Sequence, residues 1–160
     1  MTKTNSLVIG PDDGESWWQP LPSRGYVNTY VTPENNPYHD FSSGIQVLPP
    51  GCQVREHAHT INHELVFIYK GKGEVIINDE KHDIGPGSTV LFADNDYHII
   101  ENTGDEDMHM FWVFTPPRLE EWFRAIGKER TPGDPMPDAF PRPENTADAM
   151  EFQRFAKPKP

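Results

Sequence analysis

The sequence predicts an all-β fold, a sandwich or barrel of short antiparallel strands, on three observations. Short runs rich in β-branched and aromatic residues recur between about residues 25 and 114. Turn signals built from Gly, Pro, Asn and Asp separate these runs. The 160-residue length suits one domain with appendages and a single substantial core.

Residues 1–24 read as an irregular N-terminal arm. Pro11, Asp12, Asp13 and Gly14 make a turn-like cluster there, and Trp17 and Trp18 supply two large apolar anchors. Gly25–Thr32 reads as the first strand, and the prolines and paired asparagines of 33–40 break it into a loop. Further strands are predicted at Gly44–Leu48, Glu64–Tyr69, Gly73–Ile77, Thr89–Phe92, Tyr97–Glu101 and Met108–Phe114. Between Ile77 and Ile84, Asn78-Asp79-Glu80-Lys81 fits a hairpin turn. The β unit therefore occupies residues 25–115.

Residues 116–160 form a C-terminal extension of different composition. Pro116-Pro117 opens a predicted helix, Arg118–Ile126, with Leu119, Trp122, Phe123 and Ile126 on one face and Gly127 as its stop. So short a helix is marginal alone in water, which predicts that its apolar stripe packs on the outside of the β unit. Residues 128–145 are proline-rich, Ala147–Phe155 is expected to add a helical turn or two, and the end at Lys157-Pro158-Lys159-Pro160 is expected to fray.

The formal net charge of −11 argues against a nucleic-acid partner, which requires a basic patch, and against adhesion to anionic membranes. No apolar run reaches membrane-spanning length, and the first ten residues lack the apolar region of a signal peptide. A single cysteine, Cys52, excludes an intrachain disulfide and reads as a small buried hydrophobe without chemistry. Together these features predict a cytoplasmic protein.

The chemistry concentrates in two blocks. Between Gly51 and Gly71 stand His57, His59 and Glu64. Alternate residues of a strand share a face, so a His-x-His pair aims two imidazoles at one point, and Glu64 can return with a carboxylate from a neighbouring strand. About thirty residues on, Gly87 to Asn102 supplies His98 within a second strand-turn-strand unit. Three neutral imidazoles and one carboxylate suit a divalent first-row transition metal, without choosing among Fe, Mn, Ni, Co, Cu and Zn. His63 neighbours Glu64 and should face the opposite way. His39 and His82 lie in polar, turn-like contexts and read as surface residues.

The two blocks resemble the paired signature motifs of the cupin superfamily. Gly51, His57, His59, Glu64 and Gly71 follow G-x5-H-x-H-x4-E-x6-G at every position. Gly87, His98 and Asn102 follow G-x5-P-x-G-x2-H-x3-N, with Ala93 in place of Pro and Asn95 in place of Gly. Asn tolerates positive φ, so a tight turn at Asn95 remains feasible, and neither departure touches a ligand. The resemblance spans roughly residues 43–115. It implies an antiparallel jelly-roll β-barrel with one metal ion inside, held by His57, His59, Glu64 and His98. It also implies a homodimer, for which Trp17 or Trp18 is a plausible contact. The C-terminal tail is similar to those of small quercetin-dioxygenase-like cupins.

Four protein ligands leave open coordination positions, the mark of a catalytic rather than a structural site. Glu64 reads as a ligand or as a base that swings off the ion. His109 is the only ionisable group in the run Met108–Phe114, and it is a proton carrier if it faces the cavity or a surface residue if it does not. Phe67, Tyr97, Phe111, Trp112, Tyr26 and Tyr30 are further candidates for lining the pocket, or ordinary core aromatics. The favoured function is an oxygenase that cleaves a small enolisable or hydroxy-aromatic substrate. A redox-neutral isomerase, cyclase, decarboxylase or lyase uses the same ligands, and a non-catalytic small-molecule-binding module is the third reading.

Overall fold

The computed structural model describes residues 6–146 and 155–157. Among these residues, eleven strands and one helix follow in chain order: β1 (Glu15–Trp18), β2 (Tyr26–Val31), β3 (Ser42–Leu48), β4 (Gln53–His57), β5 (His63–Lys70), β6 (Gly73–Ile77), β7 (Glu80–Ile84), β8 (Thr89–Phe92), β9 (His98–Glu101), β10 (Met108–Thr115), α1 (Leu119–Ile126) and β11 (Lys128–Glu129). The expected helical turn at Ala147–Phe155 and the frayed end after Lys157 lie largely outside the described residues.

The all-β expectation holds, but the jelly-roll barrel does not. The strands form two separate antiparallel sheets, ordered β11-β1-β2-β3-β10-β5-β8 and β4-β9-β6-β7, and neither closes on itself. The reason lies at the corners where the chain changes sheet. From β7 to β8 it passes through Gly85-Pro86-Gly87, where Pro86 has no N–H to give a ladder. From β4 to β5 it passes through residues 58–62, which leave the ladder. The result is two open sheets packed over a shared core.

Alternation along the strands decides which side chains enter that core. On β10, Met108, Met110, Trp112 and Phe114 are buried while His109, Phe111 and Val113 are not. On β5, Val66 and Ile68 point inward, each paired across the ladder with Trp112 and Met110. The same face of the four-stranded sheet brings in Val75, Ile84 and Ile100. Two tight turns behave as their residues require. Asn78 and Asp79 connect β6 to β7 with φ of 48° and 72°, the twist that suits a two-residue hairpin. Gly71 turns from β5 to β6 at φ 73°, with the Asp107 carbonyl 2.7 Å from where a Cβ would sit.

The arm is less irregular than its sequence suggests, because β1 pairs with β2 and, at its other edge, with β11. Trp18 is buried edge-on against Tyr26, and Trp17, partly buried, packs against the core. Helix α1 begins one residue later than predicted, with Arg118 as its cap, and ends at Gly127 as expected. Its stripe of Leu119, Trp122, Phe123 and Ile126 is buried in the main core rather than laid on an outer surface. No helix among the described residues is long and apolar enough to cross a membrane.

Candidate metal centre

His57, His59, Glu64 and His98 converge where the two sheets meet, and one ligand atom from each lies within 4.8 Å of all the others. Local structure explains the convergence. In the four-stranded sheet, His57 of β4 faces His98 of β9, and Val54 faces Ile100. Three steps on β4 thus match two on β9, and this bulge turns both Val54 and His57 toward the interior. His59 lies just past β4, bridged to Phe155. Glu64 comes from the opposite sheet rather than from a paired neighbour. It shares the inner face of β5 with Val66 and Ile68, opposite Phe114 on one side and Phe92 on the other. Asn95 takes the positive φ expected of it, 65°, and its N–H donates to the His59 carbonyl.

The imidazoles are held with their lone pairs inward. His57 Nδ1 and His98 Nδ1 each lie 2.8 Å from a backbone carbonyl, of Arg55 and Asp96. Donation from Nδ1–H to those oxygens leaves Nε2 as the basic atom. Phe92 stacks on His98 with ring centroids 3.8 Å apart, and Phe155 stacks on His59 at 5.3 Å. Buried His98 Nε2 has no hydrogen-bond partner among the described residues. It points toward Glu64 Oε2 at 3.7 Å, and His59 Nε2 lies 3.6 Å from the same oxygen. These separations are long for hydrogen bonds and natural for ligands that share one ion. A buried donor atom without a partner is costly, so the donor set fits a divalent transition metal.

Electrostatics point the same way. Burial, together with the neighbouring His98 and His59, pushes His57 down to about 3, so it is neutral and able to ligate across the ordinary pH range. Burial works to raise the Glu64 carboxyl, but His59 and His98 outweigh it and hold the group well below the usual carboxylate range. Glu64 is therefore ionised and a poor proton acceptor, which suits a ligand better than a base.

The cluster opens onto a cavity of about 370 Å³. His57 and Glu64 form part of its wall, and Val54, Ile100, Leu119, Trp122, Phe123 and Ile126 give it an apolar lining. Of the aromatics suggested by the sequence, only Tyr97 lines it. Phe67 is exposed, Phe111 lies on the outer face of β10, Trp112 is core, and Tyr26 and Tyr30 lie elsewhere. His109 is not brought to the cluster either. It sits on that outer face with its Nδ1 3.5 Å from the Tyr69 hydroxyl. The lining that sequence reasoning missed comes from α1, whose stripe was legible but not its direction, and from Arg142 and Phe155–Lys157, which carry no periodic signal.

His63 is exposed 3.7 Å from Asp94, on the face away from the cluster as expected. His82 is exposed beside Glu80. Cys52 is half-buried, and burial raises its thiol, which favours the protonated form over the reactive thiolate.

Comparison with known proteins agrees with this geometry. The family model described as "Cupin domain" matches residues 44–114. Protein SchB of Streptomyces halstedii is 27% identical over 119 residues, which cover 72% of this chain and 82% of SchB. Polyketide synthase CurC of Streptomyces cyaneus is 25% identical over 92 residues, or 58% of this chain, and the match spans 60% of CurC. The crystal structure of a predicted oxalate decarboxylase from Thermotoga maritima superposes with a TM-score of 0.61 at 23% identity, over 68% of this chain and 98% of that one, a likeness of fold.

Proposed function

Since the chain belongs to the cupin superfamily, we propose that it is a metal-dependent enzyme, an oxygenase acting on a small enolisable or hydroxy-aromatic substrate. The observation that carries this reading is the union of the four-residue cluster with a cavity of substrate size. A structural metal would be sealed by its ligands, whereas His57 and Glu64 here line open space. The description of CurC as a polyketide synthase is consistent with an enolisable or hydroxy-aromatic compound as the substrate class.

A first-row ion held by His57, His59, Glu64 and His98 would polarise a substrate oxygen, stabilise an enolate and, if redox-active, make dioxygen reactive. The chain's own residues do the rest. The carbonyls of Arg55 and Asp96 fix the tautomers of His57 and His98. Glu64 stays ionised and supplies a negative ligand. The walls from Trp122, Phe123, Leu119 and Ile126 exclude water and hold a flat apolar body against the cluster. His109 has no part in this scheme.

A redox-neutral isomerase or lyase would use the same ligands, and oxygen dependence separates the two. In a panel of hydroxy-aromatic and 1,3-dicarbonyl compounds, the Fe- or Mn-loaded protein is expected to consume oxygen in step with substrate and to stop under anaerobiosis. Activity unchanged without oxygen, or retained with Zn as the only metal, would exclude the oxygenase.

The partner on the protein side is proposed to be a second copy of the chain. The outer face of the seven-stranded sheet carries Leu65, Phe67 and Leu91 exposed, with Phe111 and Val113 in register beside them. Apolar patches of this kind mark interaction surfaces. Light scattering should give twice the 18.3 kDa chain mass, falling to one chain mass in Leu91→Glu. A monomeric wild type would end this proposal.

A further inference from the structure

The geometry points to Arg142 as the anchor for a carboxylate on the substrate, gripping the end of the molecule remote from the metal cluster. The inference rests on the cavity being the substrate site, and it adds the charge of the ligand and the residue that reads it.

Arg142 comes from the proline-rich extension and lines the same cavity as His57 and Glu64. Its guanidinium lies over the Trp122 ring, 4.8 Å from the centroid. Trp122 in turn meets Phe155 edge to face at 5.1 Å, and Phe155 stacks on His59. Two rings, Trp122 and Phe155, thus separate Arg142 from the His59 imidazole, and Arg142 stands at the far end of an aromatic wall. Its Nε is buried and has no hydrogen-bond partner among the described residues. It forms no ion pair there either, in contrast to Arg124, which grips Glu15 at 2.7 Å. Its surroundings, burial first and then Arg55, act against its charge and push it down to about 10, so it remains a cation near neutrality.

A half-buried cation with no carboxylate beside it among the described residues is unfavourable unless a ligand supplies one. In a chain of net charge −11, Arg55, Arg142 and Lys157 all line this one cavity, against Glu56 and Glu64. A planar guanidinium held over an indole presents its N–H groups for two parallel hydrogen bonds to a carboxylate. The ligand class that follows is an aromatic or otherwise flat apolar carboxylate.

The test uses metal-free full-length protein, so that no ion competes for the carboxylate, and follows tryptophan fluorescence during titration with 1-naphthoate. Saturable binding is expected, weakened at least ten-fold in Arg142→Gln and less in Arg142→Lys. The neutral isostere 1-naphthalenemethanol should bind weakly and equally to wild type and Arg142→Gln, which separates a lost charge from a damaged cavity. Unchanged naphthoate affinity in Arg142→Gln, an alcohol bound as tightly as the acid, or no saturable binding to wild type would overturn the assignment. Because the ion and the reaction are absent from this measurement, failure of the oxygenase reading would leave its result untouched.

Discussion

Replacing His57 and His98 together with alanine is expected to take the metal content of the purified chain from about one ion to near zero. The two imidazoles face each other across β4 and β9, and each is oriented by a backbone carbonyl, so the double change removes half the donor set and its most rigid half. Elemental analysis after dialysis against a weak chelator reads the outcome, and turnover should fall with the metal. Acid should act on His57 as well. With His57 held near 3, its contribution persists through mildly acidic pH and disappears as the pH falls toward that value. Full occupancy in the double variant would remove the metal assignment.

The largest effect on stability is expected at Trp112. It is 1% exposed, lies between Val66 and Gly44 across two ladders, and packs its ring against Phe123 of α1. Gly44 is required beneath it, since a Cβ there would stand 2.7 Å from the indole and 2.1 Å from the Asn28 carbonyl. Trp112→Ala should cost about 3–5 kcal/mol and lower the midpoint of thermal unfolding by on the order of 10 °C. Trp112→Phe should cost much less, because Trp112 Nε1 is buried without a partner among the described residues and its loss removes an unsatisfied donor. A melting curve for Trp112→Ala within a degree or two of wild type would mean that the two sheets and α1 do not share this core.

The parts of the fold that were legible in the sequence are those set by local pattern. The strand at Gly73–Ile77 and the turn at Asn78-Asp79 follow from β-branched residues and from side chains that tolerate positive φ. The four cluster residues follow from the spacing of the two motif blocks and the family those blocks resemble, although His59 lies past the end of β4 and Glu64 comes from the opposite sheet. What was not legible depends on partners distant in sequence. Strand β1 exists because Trp17 and Trp18 find β2 and β11, the latter more than a hundred residues away. The run Met108–Phe114 is apolar on both faces, so only its registers with β3 and β5 tell that Trp112 points in and His109 out. The β4 bulge that turns His57 inward leaves no mark in composition. The open sheets differ from the expected barrel for a related reason. Closure depends on continuous ladders at the corners, and Pro86 and the residues after His57 interrupt them.

The central claim is that these four side chains hold one ion, and anomalous scattering from a crystal of the purified chain tests it most directly. Data on either side of the absorption edge of the metal found by elemental analysis should give a single strong peak per chain. The account predicts that peak within about 2.0–2.2 Å of His57, His59 and His98 nitrogens and a Glu64 oxygen. A peak elsewhere in the molecule, or none in a fully loaded sample, would contradict it.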